Sequence, residues 1–557
     1  MDKPWLKQYL PGVPETIDPD RYSSLGAMLE ESFLHFADRP AFHNLGKTIT
    51  YRELDLLSRA FAATLCNNLG YQKGDRVAIM MPNVLQYPVV LYGILRAGLI
   101  AVNVNPLYTP RELKHQMLDS GAKGIVILAN FAHTLAEVEK DLPLQDIWVT
   151  EVGDLVGGLK GHVVNFVVKR IKKMVPPYRL QKNSSLLEAL ETGKGQSLKT
   201  GKVTGEDIAF LQYTGGTTGV SKGAVLTHRN MVANVLQAES WIGGTFNPGE
   251  EVAITPLPLY HIFSLTANCL FIGKIGGLNV LITNPRDFPV FFKELKHWPF
   301  TFITGVNTLF LALLNKPQIK EVDFSHLKIA LAGGMAVTQA VATKWAETTG
   351  HVLLEAYGLT ETSPAACINP TNLQTYNGFI GLPISSTVVA LMDEEGRPVH
   401  KGEPGELCIK GPQVTQGYWK KPEETAKLFT PEGWLKTGDI ATINEQGYVK
   451  LIDRKKDMIL VSGFNVYPNE IEDVVSLHEG VLEVAAIGVP DEAAGEAVKI
   501  YVVKRDPKLT EGDVMAHCRK NLTGYKRPKY IEFLNELPKT NVGKILRRAL
   551  REPAAKA

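Results

Sequence analysis

The chain has 557 residues, 45% of them hydrophobic and 21% charged, and its 60 Lys and Arg against 58 Asp and Glu give a formal net charge of +2. That length exceeds what one core organises, so two or more domains are expected, and the near-neutral balance excludes a global attraction to nucleic acid: any anion must be held at a local site. Cys66, Cys269, Cys367, Cys408 and Cys518 are scattered, with no CxxC pair and no clustered His, which argues against a disulfide framework or a zinc site and fits a reducing compartment. The N-terminal MDKPWLKQYLPGVPET lacks an apolar h-region, and the longest apolar run, Val89 to Val104, carries Arg96 and is too short to span a bilayer. The expectation is a protein neither secreted by a cleaved signal nor transmembrane.

In chain order, Thr50 and Glu53 form a capping-box pattern, and Leu54, Leu57, Phe61 and Leu65 recur at helical spacing as far as Gly70. An alternation follows: a strand at Val77 to Met81, a helix at Gln86 to Ala97, a strand at Leu99 to Val104, a helix opened by Thr109, Pro110 and Glu112 and closed near Gly121, and a strand at Gly124 to Ala129. This order predicts a parallel, doubly wound sheet. From His162 to Arg179, Val164, Val167, Val168, Ile171, Met174 and Val175 share a helical face while Lys169, Arg170, Lys172 and Lys173 fall elsewhere. This reads equally as an interfacial helix drawn to anionic lipid or as a surface helix packed on the core.

Between two strand-like segments, Asp207 to Leu211 and Ala224 to Thr227, lies YTGGTTGVSKG, Tyr213 to Gly223. Glycines that accept positive φ let successive N–H groups turn toward one anion, Thr and Ser hydroxyls add donors, and Lys222 adds a cation, so the stretch reads as a phosphate cradle rather than a plain flexible loop. It is not a Walker loop, because Ser221 stands where a glycine would precede the lysine. The GxSxG pattern at 219–223 would make Ser221 a nucleophile, but a nucleophile elbow leads into a helix and AVLT reads as a strand.

Thr227 can cap a helix through Gln237. Pro256 to Gly273 is apolar around His261, a histidine that spacing alone assigns to structure more readily than to catalysis. Further apolar segments at Phe300 to Leu314 and Ile329 to Leu331, the latter followed by Gly333 and Gly334, suit either core or an apolar channel. In LLEAYGLTETSP, Tyr357 and Gly358 precede Thr360 and Glu361, a hydroxyl beside a carboxylate that reads as an Mg2+ site with phosphate oxygens or as a helix N-cap. After the Gly/Pro-rich stretch from Gly378 to Pro412, Gly438 and Asp439 precede one strand pattern, and the charge run Asp453, Arg454, Lys455, Lys456, Asp457 is the best candidate domain joint. Beyond it come a helix at Asn469 to Ser476, strands at Val484 to Ile487 and Val498 to Val503, and a basic tail with Arg519, Lys520, Lys526, Arg527, Lys529 and, after Gly543, Lys544.

Taken together, YTGGTTGVSKG at 213, YGLTET at 357, TGD at 437, DRKKD at 453, SGFNVYP at 462 and NVGK ending at 544 resemble, over essentially the whole chain, the adenylate-forming superfamily, and within it the bacterial long-chain fatty acid–CoA ligases. The resemblance implies an α/β fold: a large N-terminal domain of several subdomains with doubly wound sheets, residues 1–453, and a small mobile α+β C-terminal domain, residues 454–557, hinged near 453–457. It implies that a carboxylate attacks the α-phosphorus of ATP to give acyl-AMP and pyrophosphate, and that CoA then displaces AMP. It also assigns roles. Tyr213, Thr214, Gly215, Gly216, Thr217, Thr218 and Lys222 would cradle the phosphates, Glu361 would hold Mg2+, Thr360 would contact the α-phosphate, and Tyr357 with Gly358 would lie against adenine. Asp439 would take the ribose hydroxyls with Arg454 in support. Lys544 would bridge carboxylate and α-phosphate during adenylation alone, and Gly463 would approach the pantetheine tunnel after a domain rotation. His261 matches a histidine near the acyl site.

The PLYHIF region carries no Asp or Glu to bind an α-amine, so a plain acid is expected. Some long-chain relatives place a Trp gate shortly after the histidine, where Phe263 and Leu265 stand here. The expected partners are a fatty acid, ATP and CoA, with no nucleic acid, anionic membrane at the periphery through residues 162–179, and a homodimer left open. The expected location is cytoplasmic, at the inner face of the membrane where it is peripheral. Alternatives are a medium-chain or aryl acid–CoA ligase, a non-ribosomal adenylation module (disfavoured by the short tail after Lys544), a serine esterase using Ser221, and a non-catalytic acyl-AMP or lipid-binding protein.

Overall fold

Thr50 opens the helix Tyr51–Ala63 through the reciprocal capping box with Glu53, and the helix continues as a wider turn, Thr64–Asn68. The same device at Thr109 and Glu112 opens Pro110–Ser120, which ends at left-handed Gly121. These elements belong to a computed structural model that describes residues 2–214, 221–400, 402–491, 494–540 and 542–551. Gly215, Gly216, Thr217 and Thr218 lie outside the described residues.

The expected alternation is present. Strands Arg76–Met80, Ile100–Asn103, Gly124–Leu128, Asp146–Thr150 and Ile208–Thr214 pair in parallel within a seven-stranded sheet, whose edge strand Lys222–Thr227 returns antiparallel to Ile208–Thr214. A second, nine-stranded sheet has a parallel centre formed by Pro40–Asn44, Leu278–Leu281, Val252–Thr255, Phe302–Gly305, Ile329–Gly333 and Leu353–Gly358. Helix Gln86–Arg96 is buried along its whole length. That is why its sequence is apolar on every side, as expected of a helix enclosed by core. Its one cation, Arg96, pairs with Glu30 at 2.7 Å and with Asp55.

Two smaller sheets follow. Val388–Met392, Gly405–Lys410, Leu435–Ile443 and Val449–Arg454 form an antiparallel meander. The last sheet is built on the long hairpin Val481–Asp491 and Gly495–Lys504, longer than the sequence suggests, with Ile459–Val461, Phe464–Val466 and Tyr530–Leu534 added to it. Ile459, Val466, Ile471, Val498, Val502 and Val514 give this C-terminal body a core of its own. In the basic tail, Lys526 pairs with Glu470 at 2.7 Å, Lys529 pairs with Asp491, and Arg527 donates to the carbonyl of Leu522.

Two expectations change in extent. Thr227 and Asn230 cap a helix that runs past Gln237, His228–Ile242, because Ala238, Trp241 and Ile242 continue its buried face. The segment expected at 162–179 begins earlier and stops sooner, as Gly158–Phe166 and the wider turn Val167–Ile171, with Lys173 at φ 50° and two prolines after it. The apolar face read from the sequence also divides. Val164, Val167, Val168 and Val175 are half-buried, whereas Leu159, Val163, Phe166, Ile171 and Met174 are exposed. Among the described residues no helix is long and apolar enough to cross a membrane.

Candidate active site

Strand Leu353–Gly358 carries Tyr357 to the edge of a cleft of about 930 Å³ lined by both the large sheets and the C-terminal body. The chain must turn sharply after it, and Gly358 permits this: a Cβ there would fall 1.8 Å from the carbonyl oxygen of Pro364. The turn Thr360–Thr362 then presents Thr360 and Glu361 to the cleft.

Asp439 and Arg454 face each other across the antiparallel pair Leu435–Ile443 and Val449–Arg454. The buried Asp439 carboxylate accepts the Tyr357 hydroxyl at 2.5 Å and lies 3.5 Å from Arg454 Nε. Burial raises its pKa, and Arg454 and the Tyr357 hydroxyl oppose that rise. The triad is thus an acceptor fixed by a neighbouring cation, suited to a pair of vicinal hydroxyls.

Lys544 enters the cleft from the C-terminal body at the head of a tight turn. Thr540 N–H donates to its carbonyl at 2.7 Å, and its own N–H donates to Thr540 Oγ1 at 3.1 Å. The turn is docked on the large domain by the Thr308 hydroxyl, which donates to the Gly543 carbonyl at 2.8 Å. Gly334, at φ +79°, leaves the space its side chain occupies, since a Cβ there would come within 3.1 Å of Lys544 Cε. Desolvation pushes the ammonium pKa down to about 8, and Arg454 adds to that shift while Asp439 and Glu361 counter it. His261 lines the same cleft, accepting the Phe263 N–H at 3.4 Å. Burial first and Lys544 second lower its pKa to about 3, so it is a neutral hydrogen-bonding group.

Part of the same cleft is an apolar limb to which helix His228–Ile242 and the nine-stranded sheet contribute. It is lined by Ala238, Ile242, Phe263, Phe271, Phe302 and Leu331.

Of the phosphate-cradle residues within the described regions, Thr214 lines the cleft at the end of its strand. The Tyr213 hydroxyl is turned to Asp119 at 2.7 Å, with its ring against Gly223. Lys222 pairs with Glu424 and lies 5.1 Å above the Tyr418 ring, whose hydroxyl donates to Glu361 Oε1 at 2.6 Å. Glu361 therefore has one oxygen oriented by Tyr418 and, among the described residues, no hydrogen bond to the second, a hard donor next to Thr360 in sequence that fits Mg2+. Gly463 is not brought to the cleft. It sits at the exposed tip of the hairpin Ile459–Val461 and Phe464–Val466, with no atom within 4 Å of where a Cβ would be.

Ser221 is no nucleophile here. Its hydroxyl donates to the Thr214 carbonyl at 2.6 Å, and the nearby His115 Nε2 contacts the Ser221 carbonyl oxygen at 3.0 Å rather than the hydroxyl. Sequence reasoning missed Tyr418, Glu424 and Thr308. Pro422 followed by Glu423 and Glu424 does signal the start of helix Pro422–Leu428, but nothing in that signal points to Lys222.

A split α/β body, a buried acceptor beside an arginine and a lysine delivered from a separate small domain describe enzymes that bind a nucleotide between two bodies. The model of the AMP-binding enzyme family matches residues 29–419 and that of the AMP-binding enzyme C-terminal domain matches residues 470–544, and the chain belongs to this family. It is 57% identical over 554 residues to the long-chain-fatty-acid–CoA ligase of Escherichia coli O6:H1, covering 100% of this chain and 99% of that one. Among solved structures, ATP-bound MatB from Rhodopseudomonas palustris is 28% identical and superimposes with a TM-score of 0.81 over 95% of this chain and 98% of that one; apo MatB, over the same coverage, gives 0.73.

Proposed function

We infer that this protein is an ATP-dependent long-chain fatty acid–CoA ligase that forms an acyl-adenylate and then transfers the acyl group to CoA. The observation that carries the reading is that Lys544, the Asp439–Arg454–Tyr357 cluster, His261 and the apolar limb all line one cleft, where a nucleotide and a carboxylate would meet.

In this reading Asp439 accepts the ribose hydroxyls with Arg454 in support, and Tyr357 with Gly358 lies against adenine. Thr360 donates to the α-phosphate. Tyr213, Thr214, Gly215, Gly216, Thr217, Thr218 and Lys222 form the phosphate cradle, in which the donors of Thr214, Thr217, Thr218 and Lys222 hold the β and γ phosphates. A Mg2+ held by Glu361 would neutralise phosphate charge. The Lys544 ammonium spans the substrate carboxylate and the α-phosphate as negative charge gathers on the oxygens of the transition state, an electrostatic role that needs no proton transfer. Neutral His261 orients the carboxylate, and the limb along Ala238 and Ile242 receives the alkyl chain. The domains divide at 453–457, where Asp453 accepts the N–H groups of Arg454 and Asn469 at 2.7 and 2.8 Å and so links the last strand of the meander to the first helix of the small domain. Rotation there would withdraw Lys544 and bring Gly463 toward the thiol path. The direct test is pyrophosphate release dependent on fatty acid and independent of CoA, followed by AMP release on adding CoA. Absence of the first would refute the adenylate route.

Peripheral membrane contact is the second part of the reading. Leu159 and Ile171, 83% and 65% exposed, stand beside exposed Lys160, Arg170, Lys172 and Lys173, an apolar face edged with cations that suits an anionic bilayer surface. Replacing Lys169, Arg170, Lys172 and Lys173 with Gln should weaken sedimentation with phosphatidylglycerol vesicles, and salt should weaken the native protein likewise. Equal binding by both proteins would refute it.

A further inference from the structure

Lys222, the cation of the phosphate cradle, is already engaged. Its ammonium pairs with Glu424 of helix Pro422–Leu428, 202 residues away in the chain, while Lys427 holds the other oxygen of Glu424 at 3.0 Å. Tyr418 stands between this pair and the metal carboxylate: its ring lies under Lys222, and its hydroxyl is spent on Glu361. The position of Tyr418 is fixed by its surroundings. Its N–H donates to Thr425 Oγ1 at 2.9 Å, Trp419 N–H donates to the Gly223 carbonyl at 2.8 Å, and Thr415 N–H donates to the Glu361 carbonyl at 2.8 Å. One short segment thus ties together the strand that carries Lys222, the turn that carries Glu361 and the helix that carries Glu424.

Electrostatics explains why such an arrangement would be useful. A cation placed to meet a polyphosphate has, before the nucleotide arrives, the Glu361 carboxylate as a nearby attractor, and a Lys222–Glu361 pair would block both the phosphate and the metal position. We propose that Glu424 is an intramolecular stand-in for the polyphosphate: it holds Lys222 away from Glu361 until the β and γ phosphates displace it, with Tyr418 as the fixed pivot on which the lysine swings. The proposal rests on the phosphate-cradle reading above. Both partners of the ion pair are about one-third exposed, so the competition is modest and can be overcome by a multiply charged ligand.

The test is calorimetric binding of Mg2+ with a non-hydrolysable ATP analogue, and of AMP, to the full chain. Glu424→Gln removes the competitor, so the analogue should bind about two- to five-fold tighter, with a larger gain at low salt. AMP, which lacks the β and γ phosphates, should bind as it does to the native chain. In a Lys222→Ala background Glu424→Gln should have no further effect on the analogue. Equal or weaker analogue binding by Glu424→Gln, or an equal change for AMP, overturns the proposal. Where Glu424→Gln lowers the melting temperature, Glu424→Asp, one methylene shorter, should still show part of the gain, and its absence counts equally against the idea. Analogue binding unaffected by Lys222→Ala alone would instead overturn the cradle reading beneath it.

Discussion

Lys544 shows how much a single side chain depends on its surroundings. Its turn is held by Thr540 and Thr308, its path is cleared by Gly334, and its charge is weakened by burial and sustained by Asp439 and Glu361. If Lys544 meets the α-phosphate only in adenylation, as proposed above, Lys544→Ala should lower acyl-AMP formation by at least roughly 10²–10³-fold, the scale of losing one well-placed transition-state donor. Conversion of supplied acyl-AMP to acyl-CoA should persist, since in that reading the step follows its withdrawal. Single-turnover assays of the two half-reactions check this, and equal losses would remove Lys544 from its assigned role. Lys544 was legible only as one member of a set: by itself it was a basic residue after a turn glycine, and its role came from the resemblance of NVGK and the five other motifs to the adenylate-forming superfamily. Tyr418 and Glu424 were not legible, because their partners Glu361 and Lys222 are 57 and 202 residues away and only the pairing of strand Lys222–Thr227 with the 417–419 segment brings them together.

Among the elements, helix His228–Ile242 has the clearest consequence for specificity. Asn234, Ala238 and Ile242, spaced four apart, line the apolar limb on one face, and at 1.5 Å per residue they follow it for about 12 Å. From the sequence this helix is expected only as far as Gln237, although it runs on through the polar pair Glu239–Ser240 to Ile242. The turn that reaches Trp241 and Ile242 was missed, and no residue of this helix was expected in the apolar lining. The seven-stranded sheet was easier to read, since its apolar strands alternating with capped helices leave few topologies open, whereas Phe302–Gly305 and Ile329–Gly333 of the nine-stranded sheet were read only as apolar segments. A bulky side chain at Ala238 would divide the limb. Ala238→Phe should therefore depress kcat/KM for palmitate far more than for octanoate, each methylene excluded from apolar contact costing about 0.8 kcal/mol, or roughly four-fold. A series of acids of increasing length measures this directly. A uniform loss at all lengths would mean that the alkyl chain runs elsewhere.

At the scale of the whole molecule, the two bodies are docked in the arrangement that places Lys544 in the cleft and leaves Gly463 at an exposed tip, and the chain superimposes better on ATP-bound than on apo MatB. With Lys544 in its proposed role, this arrangement should couple adenylation to pH. A lysine acts here only when charged, and its pKa of about 8 means the ammonium is present below that pH and is lost as pH rises through it. The profile of kcat/KM reports groups of the free enzyme, so adenylation measured by pyrophosphate release should hold its value from neutrality to near pH 8 and fall tenfold per unit above it. Thioester formation from supplied acyl-AMP, which in the proposed reading does not use Lys544, should lack that limb, apart from the opposite rise expected as the CoA thiol ionises. His261, already neutral with a pKa of about 3, should contribute no limb to either profile between pH 5 and 9. An alkaline fall shared by both half-reactions would place the titrating group outside the small domain's lysine. A fall confined to adenylation, absent from the residual activity of Lys544→Ala, would tie it to the position that this docking gives Lys544.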